Sequence, residues 1–156
     1  AQPWPALAAG KPSAGPFYLV WQNPEAAQIG PEQWPFQVST LGLLAPVAQR
    51  FPALLPAADA SAEVQAGFAV FQKNCLACHR LNGAGDSQFG PDLNIPHNPT
   101  EYFAGDFLRQ YIRDPQSLRK WPQGRMPGFS EAVLSDRELG ELIEYLRHMS
   151  KHKSLF

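Results

Sequence analysis

Two cysteines and one histidine form the densest group of chemically versatile side chains in this 156-residue sequence. Cys75 and Cys78 are its only cysteines, they stand three positions apart, and His79 follows the second directly. A C-x-x-C-H run is typical of covalent haem attachment, in which each thiol adds to a vinyl group and forms a thioether. The adjacent imidazole is then held beneath the ring, where its nitrogen can bind the iron. The motif therefore predicts one covalently bound haem and redox chemistry.

Other sites also use cysteines at this spacing. A disulfide or a thioredoxin-like site would use Cys75 and Cys78, but neither needs His79 or the glycine- and proline-rich sequence that follows. A structural zinc site would need a second pair of ligands at a suitable spacing, and the sequence has no further cysteine. Haem attachment is the interpretation that best accounts for all three residues.

Length and charge set broad limits on the protein class. The 13 basic and 14 acidic side chains are nearly balanced, so nothing suggests the strongly basic surface of a nucleic-acid-binding domain. The length fits one domain, or one small domain with an extension, and no apolar run approaches a membrane span. The sequence begins at Ala1 and Gln2 without a basic and apolar leader, which we interpret as an exported protein after removal of its signal peptide.

Residues 1–60 differ in composition from the rest of the chain. They hold ten of the sixteen prolines and five charged residues, Lys11, Glu25, Glu32, Arg50 and Asp59. Because proline fixes φ and removes a backbone donor, long helices are not expected here. Residues 17–21 and 36–41 are β-prone and predict a short hairpin. Trp4, Trp21 and Trp34 would be poorly soluble in a free tail, so we expect this extension to pack against the haem domain or a partner protein.

Two short runs in the extension, residues 15–21 and 33–38, resemble the closing strands of the molybdopterin-binding domain of sulfite-oxidase-like proteins. The resemblance is confined to these runs and includes no cofactor-binding cysteine. It is weak evidence of any such activity in this chain.

Helical signals begin after residue 60. The pattern predicts a helix over residues 62–73 that leads directly into Cys75, with Val64, Phe68 and Phe71 on one face. Gly67 is a poor helix former, which suggests a close approach by another backbone. A second helix is predicted over about 105–114. The last begins at a capping box, Ser135 with Glu138, and its apolar stripe is Leu139, Leu142, Ile143, Leu146 and Met149.

From about residue 62 to 150 the chain resembles a small class I cytochrome c. Gly67 and Phe71 look like the positions of the first helix that receive an aromatic residue of the last helix, here Tyr145. The runs 90–93 (Gly-Pro-Asp-Leu) and 126–129 (Met-Pro-Gly-Phe) look like two loops of that family. The resemblance implies an all-α fold around one haem c in residues 61–156, preceded by the extension at 1–60.

The same resemblance implies roles for particular residues. Cys75 and Cys78 would attach the haem, His79 would be the proximal ligand and Met126 the distal ligand. The carbonyl of Pro91 would accept a hydrogen bond from His79, which would fix the ring and its basicity. Histidine with a thioether supplies two axial donors and favours ferrous iron.

Several other residues compete for a place at the iron. Met149 lies on the apolar stripe of the last helix, where core packing is the expected role. His97 is an alternative distal ligand in a loop, although a surface imidazole is more usual there. His148 and His152 are expected near the C-terminal dipole of the last helix. Trp121 would donate its indole N–H to a haem propionate or form a wall of the pocket.

A local excess of basic side chains precedes Met126. The predicted docking surface for an acidic redox partner consists of Arg109, Arg113, Arg119, Lys120 and Arg125. Electrostatic association through these residues should weaken with added salt. The alternative interpretation is a solvated face that also neutralises the propionates.

The predicted function is electron transfer between redox partner proteins in the periplasm, without catalysis. No Ser-His-Asp set, phosphate loop or acid/base pair competes with the haem. A second hypothesis is a dedicated electron-acceptor subunit that binds a larger dehydrogenase, of sulfur-compound or molybdopterin type, through residues 1–60. A third is a haem enzyme or gas sensor with an open distal position.

Overall fold

A computed structural model describes residues 4–6, 9–30 and 33–154, and it divides the chain into two compact units. The first unit is Ala1–Leu44 and the second is Ala45–Phe156. Over the described residues the chain contains helices and isolated β-bridges but no β-strand, and it has no helix that is long and apolar enough to cross a membrane. The predicted all-α class is confirmed.

The first unit is held by a few backbone bonds. Tyr18 and Phe36 form one antiparallel bridge, so the two β-prone runs do meet, but as a single bridge instead of a hairpin of two strands. Leu19 N donates to Pro35 O (3.1 Å) and Val38 N donates to Phe17 O (2.9 Å). A ladder does not extend because prolines lack N–H donors, and Gln37, at φ +56°, leaves the extended conformation. This part of the hairpin prediction is therefore corrected.

The second unit contains six α-helices and one 3₁₀-helix within the described residues. They are α1 (Val47–Arg50), the 3₁₀-helix (Pro52–Leu54), α2 (Ala62–Asn74), α3 (Pro99–Tyr102), α4 (Phe107–Arg113), α5 (Pro115–Leu118) and α6 (Asp136–Ser150). The three helices expected from the sequence correspond to α2, α4 and α6. Ser135 caps α6 in the predicted box with Glu138. The remaining helices span one turn and were not predicted, although Asn98 and Glu101 form a second capping box at α3.

The packing of α2 against α6 organises this unit. A Cβ atom added at Gly67 would lie 2.6 Å from the carbonyl carbon of Glu141 and 2.7 Å from Cβ of Tyr145. The glycine therefore lets the backbone of α6 come this close, as the sequence predicted. The ring of Tyr145 is fully buried, with its centroid 5.6 Å from that of Phe68 and 5.5 Å from that of Phe71.

Residues 45–60 belong to the second unit, which differs from the predicted boundary near residue 60. The hydroxyl of Tyr145 donates to Leu54 O at 2.7 Å, and burial raises the pKa of this tyrosine, which keeps it a donor. Leu54 is itself fully buried. Ala57 N donates to Nε2 of His148 at 3.1 Å, and burial, followed by the neighbouring charge of His152, lowers the pKa of His148. These contacts bind the segment to α6.

Replacing Gly67 with alanine should destabilise the protein, because the added Cβ collides with backbone that cannot move independently. We expect the free energy of unfolding to fall by about 1–3 kcal/mol, measured by denaturant titration. The matched control is Gly140→Ala in α6, where the added Cβ meets only the flexible end of Arg109 at 3.3 Å. That variant should be neutral or up to about 1 kcal/mol more stable. Equal effects of the two substitutions would contradict the close approach at Gly67.

Candidate haem site

Cys75, Cys78 and His79 lie in the turn that ends α2. Cys75 is the C-cap residue, and its N–H donates to Phe71 O at 2.9 Å. Cys78 N and His79 N then both donate to Cys75 O, at 3.0 and 2.9 Å. The turn keeps the three side chains within one short segment, and all three are half-buried. Because α2 is fixed by α6, the position of this turn is fixed as well.

The imidazole of His79 is oriented by the loop that follows. Its Nδ1 lies 2.8 Å from the carbonyl oxygen of Pro91. A carbonyl can only accept, so Nδ1 carries the proton and Nε2 keeps an electron pair for a metal ion. Burial is the main influence on the pKa of His79 and lowers it, opposed by the Pro91 bond and the charge of Asp92. The neutral form, which binds metal ions, is therefore favoured.

Gly90 lies against the face of this ring. A Cβ atom at Gly90 would be 2.5 Å from Cε1 and 2.6 Å from Nδ1 of His79. Gly90 N donates to Cys78 O at 2.8 Å, and Leu93 N donates to Arg80 O at the same distance. The loop thus runs directly beside the motif, and only glycine leaves room for the imidazole at this point.

The methionine loop is attached to α4. Met126 is half-buried and packs against the core, while Phe129 is buried and its N–H donates to Ile112 O at 3.1 Å. A Cβ atom at Gly128 would collide with the carbonyl oxygen of Arg113. The loop is therefore held close to the C-terminal end of α4, and Met126 reaches the core from it.

Arg113, part of the predicted docking surface, binds this loop to α6. Its Nη1 donates to Phe129 O (2.9 Å) and Leu134 O (2.5 Å), and its Nη2 donates to Asp136 (2.6 Å). Arg109 lies 3.6 Å from Asp106. The members of the docking surface that remain exposed are Arg119, Lys120 and Arg125. The role of these three in binding a partner stays a prediction.

The alternative ligands are spread over different environments. Met149 is 2% exposed in the core, which agrees with a packing role. His97 is exposed in its loop. His148 and His152 stack at the end of α6, with ring centroids 4.3 Å apart. Trp121 is half exposed, and the guanidinium of Arg119 lies 5.5 Å from its ring centroid. Its predicted contact with a propionate stays a prediction.

Sequence reasoning missed the asparagines that anchor the loop of Pro91. Asn94 Nδ2 donates to Met149 O, and Asn98 Nδ2 donates to Leu146 O, at 2.8 and 2.9 Å. Both asparagines are completely buried. Asn82 Nδ2 donates to His152 O at 3.0 Å. The sequence offers only a weak signal for these contacts, because asparagine in such a segment normally indicates a turn.

The residues present fit a haem group. Two thiols and a neutral imidazole with one unprotonated nitrogen are the donor set that covalent attachment and axial ligation need. Gly90 leaves the space in which that imidazole stands. In addition, Nε of Arg80 is buried and has no hydrogen-bond partner within the described part of the chain, as expected where a further group completes the surroundings.

Comparison with known proteins agrees with this geometry. The family model described as Cytochrome c matches residues 64–150, which is more than half of the chain. The chain belongs to the cytochrome c family. Membership implies a covalently bound haem c with its iron and haem-based electron transfer, and it supports an electron carrier over a catalytic enzyme.

A curated relative of this cytochrome is a nicotinate dehydrogenase component from Pseudomonas putida, which is named as one of the subunits of that enzyme. The two are 33% identical over 95 residues, which are 60% of this chain and 8% of the relative. The similarity therefore extends over a small part of a much longer protein. No solved structure matches the chain.

Replacing Gly90 with alanine should displace the imidazole of His79. The added Cβ would overlap the ring, so we expect a loss of about 1–3 kcal/mol in the free energy of unfolding, together with a changed absorption spectrum of the haem-loaded protein. Gly42→Ala is the control, because its added Cβ has nothing within 4 Å. Unchanged stability and spectrum in Gly90→Ala would show that this contact does not constrain His79.

Proposed function

We propose that this cytochrome is a periplasmic carrier of single electrons with one haem c. Cys75 and Cys78 hold the haem through thioethers, His79 is the proximal ligand and Met126 is the distal ligand. The observation that carries the proposal is the 2.8 Å contact between Nδ1 of His79 and Pro91 O, which leaves Nε2 for the iron. When bound, the haem iron supplies reversible one-electron chemistry.

The protein supplies orientation and restricted motion around that group. His79 is fixed by the turn of Cys75, by Pro91 and by the space at Gly90. Met126 stands in a loop that is attached to α4 through Phe129. Two axial donors held by different rigid elements allow the oxidation state to change with little rearrangement, as a carrier requires.

A periplasmic location is part of the proposal. It rests on the expectation that covalent haem attachment of this family takes place outside the cytoplasm. Cell fractionation that recovers the haem-loaded protein in the cytoplasm would contradict it.

Met126→Ala should remove the thioether ligand. We expect the weak sulfur-to-iron charge-transfer band of the ferric protein to disappear, and the potential to fall because thioether ligation favours ferrous iron. A tenfold change in the ferric–ferrous equilibrium corresponds to about 59 mV for one electron, and we expect at least this shift. Absorption spectroscopy and a redox titration measure the two effects.

Met149→Leu is the matched control, since it replaces the buried methionine of α6 with a side chain of similar volume and should keep the band. An unchanged spectrum in Met126→Ala would reject Met126 and favour His97, which His97→Ala would then test. Ready binding of carbon monoxide by the unaltered ferrous protein, with no ligand displaced, would instead support a gas sensor or haem enzyme.

We propose a second function, that of a dedicated electron-acceptor subunit, on the basis of exposed apolar residues in the first unit. Phe17 and Val20 are 68% and 69% exposed, Leu41 is 83% exposed, and Leu43 and Leu44 are also exposed. A cluster of this kind is typical of an interaction site. The relative from Pseudomonas putida is named as a dehydrogenase subunit, which agrees with a larger oxidoreductase as the partner. Since residues 45–60 pack on α6, the proposed binding segment narrows to residues 1–44.

Copurification from the source organism tests this second function. The full-length protein should bring down a larger catalytic subunit, and the double variant Leu41→Gln/Leu43→Gln should lose at least about tenfold of that yield. Leu55→Gln is the control, because Leu55 is an exposed leucine of the second unit. If both variants retain the partner equally, or if no larger subunit is recovered, the first unit does not have this role.

A further inference from the structure

Asp92 accepts more backbone hydrogen bonds than a turn requires. Its Oδ1 accepts from Asn82 N (3.2 Å), Asn94 N (2.8 Å) and Ile95 N (2.9 Å). Its Oδ2 accepts from Gly83 N at 2.7 Å. One carboxylate thus binds N–H groups from two separate stretches of chain, and bonds of this charged type are stronger than neutral ones.

These bonds join the turn after the haem motif to the loop that carries Pro91. The turn is closed by Leu81 and Ala84, which exchange two backbone bonds of 3.0 Å, and both Asn82 and Gly83 have positive φ. The left-handed pair directs two successive N–H groups to Asp92. On its other side Asp92 holds the backbone of residues 94 and 95. The peptide of Pro91 therefore stands directly before the residue that fixes both segments.

We propose that Asp92 is the positioning residue that sets the strength of the hydrogen bond between His79 and Pro91. The inference rests on the proposed ligation of iron by His79. A firm bond from Nδ1–H to the carbonyl makes the imidazole a stronger electron donor, which stabilises ferric iron and lowers the potential. Asp92 does not touch the haem in this account. It acts by holding the Pro91 carbonyl in place.

The anchoring of the loop to α6 is separate from this action. Asn94 and Asn98 donate to backbone oxygens of α6, and neither of their side chains bonds to residues 79–92 apart from the contact of Asn94 with Asn82. Asn98→Ser should therefore weaken the loop's attachment while leaving the contact of His79 with Pro91 intact. This variant separates loss of stability from loss of positioning.

The test compares Asp92→Ala and Asp92→Asn in the full-length, haem-loaded protein. Two readouts are used: the midpoint potential, and the NMR resonance of the His79 Nδ1 proton in the ferrous state. Both variants remove the negative charge, but asparagine keeps one acceptor oxygen for the three bonds of Oδ1. We expect Asp92→Ala to favour ferrous iron at least about tenfold, or about 59 mV, with a smaller shift in Asp92→Asn. The proton resonance should move upfield in the same order.

Two controls complete the design. Asn98→Ser should lower stability without moving the proton resonance, and Asp86→Asn removes one charge from an exposed residue that pairs with Arg50. Equal shifts of potential in the two Asp92 variants, with an unmoved proton resonance, would show that the charge alone acts and would overturn the proposal. If Asp92→Ala does not fold, an unmoved proton resonance in Asp92→Asn overturns it. An unaltered protein without a low-spin spectrum would reject ligation by His79 itself, which distinguishes that failure from this one.

Discussion

The close approach of α2 and α6 at Gly67 is the constraint on which the remaining structure depends. With no side chain at that position, the carbonyl of Glu141 and the Cβ of Tyr145 come against the backbone of α2. The ring of Tyr145 then fills the space beside Phe68 and Phe71, and its hydroxyl holds Leu54. Because the haem motif is the C-terminal end of α2, this crossing decides where Cys75 and His79 stand relative to the rest of the second unit.

The loops around the motif are fixed mainly by polar contacts. The segment between His79 and α3 buries little apolar surface of its own, and it is fastened by the carboxylate of Asp92 and by buried asparagines. Arg113 fastens the methionine loop in a similar way through two carbonyl oxygens and Asp136. A buried polar network of this kind is rigid only when every member is bonded. Rigid surroundings are what an electron carrier needs, since they keep both axial donors in place.

The features that the sequence predicted correctly are local or periodic. The motif at residues 75–79, the capping box at Ser135 and the apolar stripe of α6 each depend on residues close together in the chain. Gly67 and Tyr145 were paired across a long separation only because the resemblance to class I cytochromes c placed them together.

What could not be predicted depends on contacts between distant residues. Nothing in residues 45–60 shows that Leu54 would be buried against Tyr145, so the boundary near residue 60 differs from the observed one at 44. Arg113 looked like a surface charge because its carbonyl partners come from residues 129 and 134. The β-prone runs of the first unit formed one bridge, since propensity cannot supply the donors that proline removes.

The central claim is that the turn at the end of α2 carries the haem. Proteolysis of the denatured protein followed by mass spectrometry tests it most directly, because thioether bonds survive denaturation and axial bonds do not. We predict that the peptide containing Cys75 and Cys78 carries the mass of one haem, and that the Cys75→Ala/Cys78→Ala variant yields that peptide without haem. An unmodified peptide from the haem-loaded protein would contradict the account.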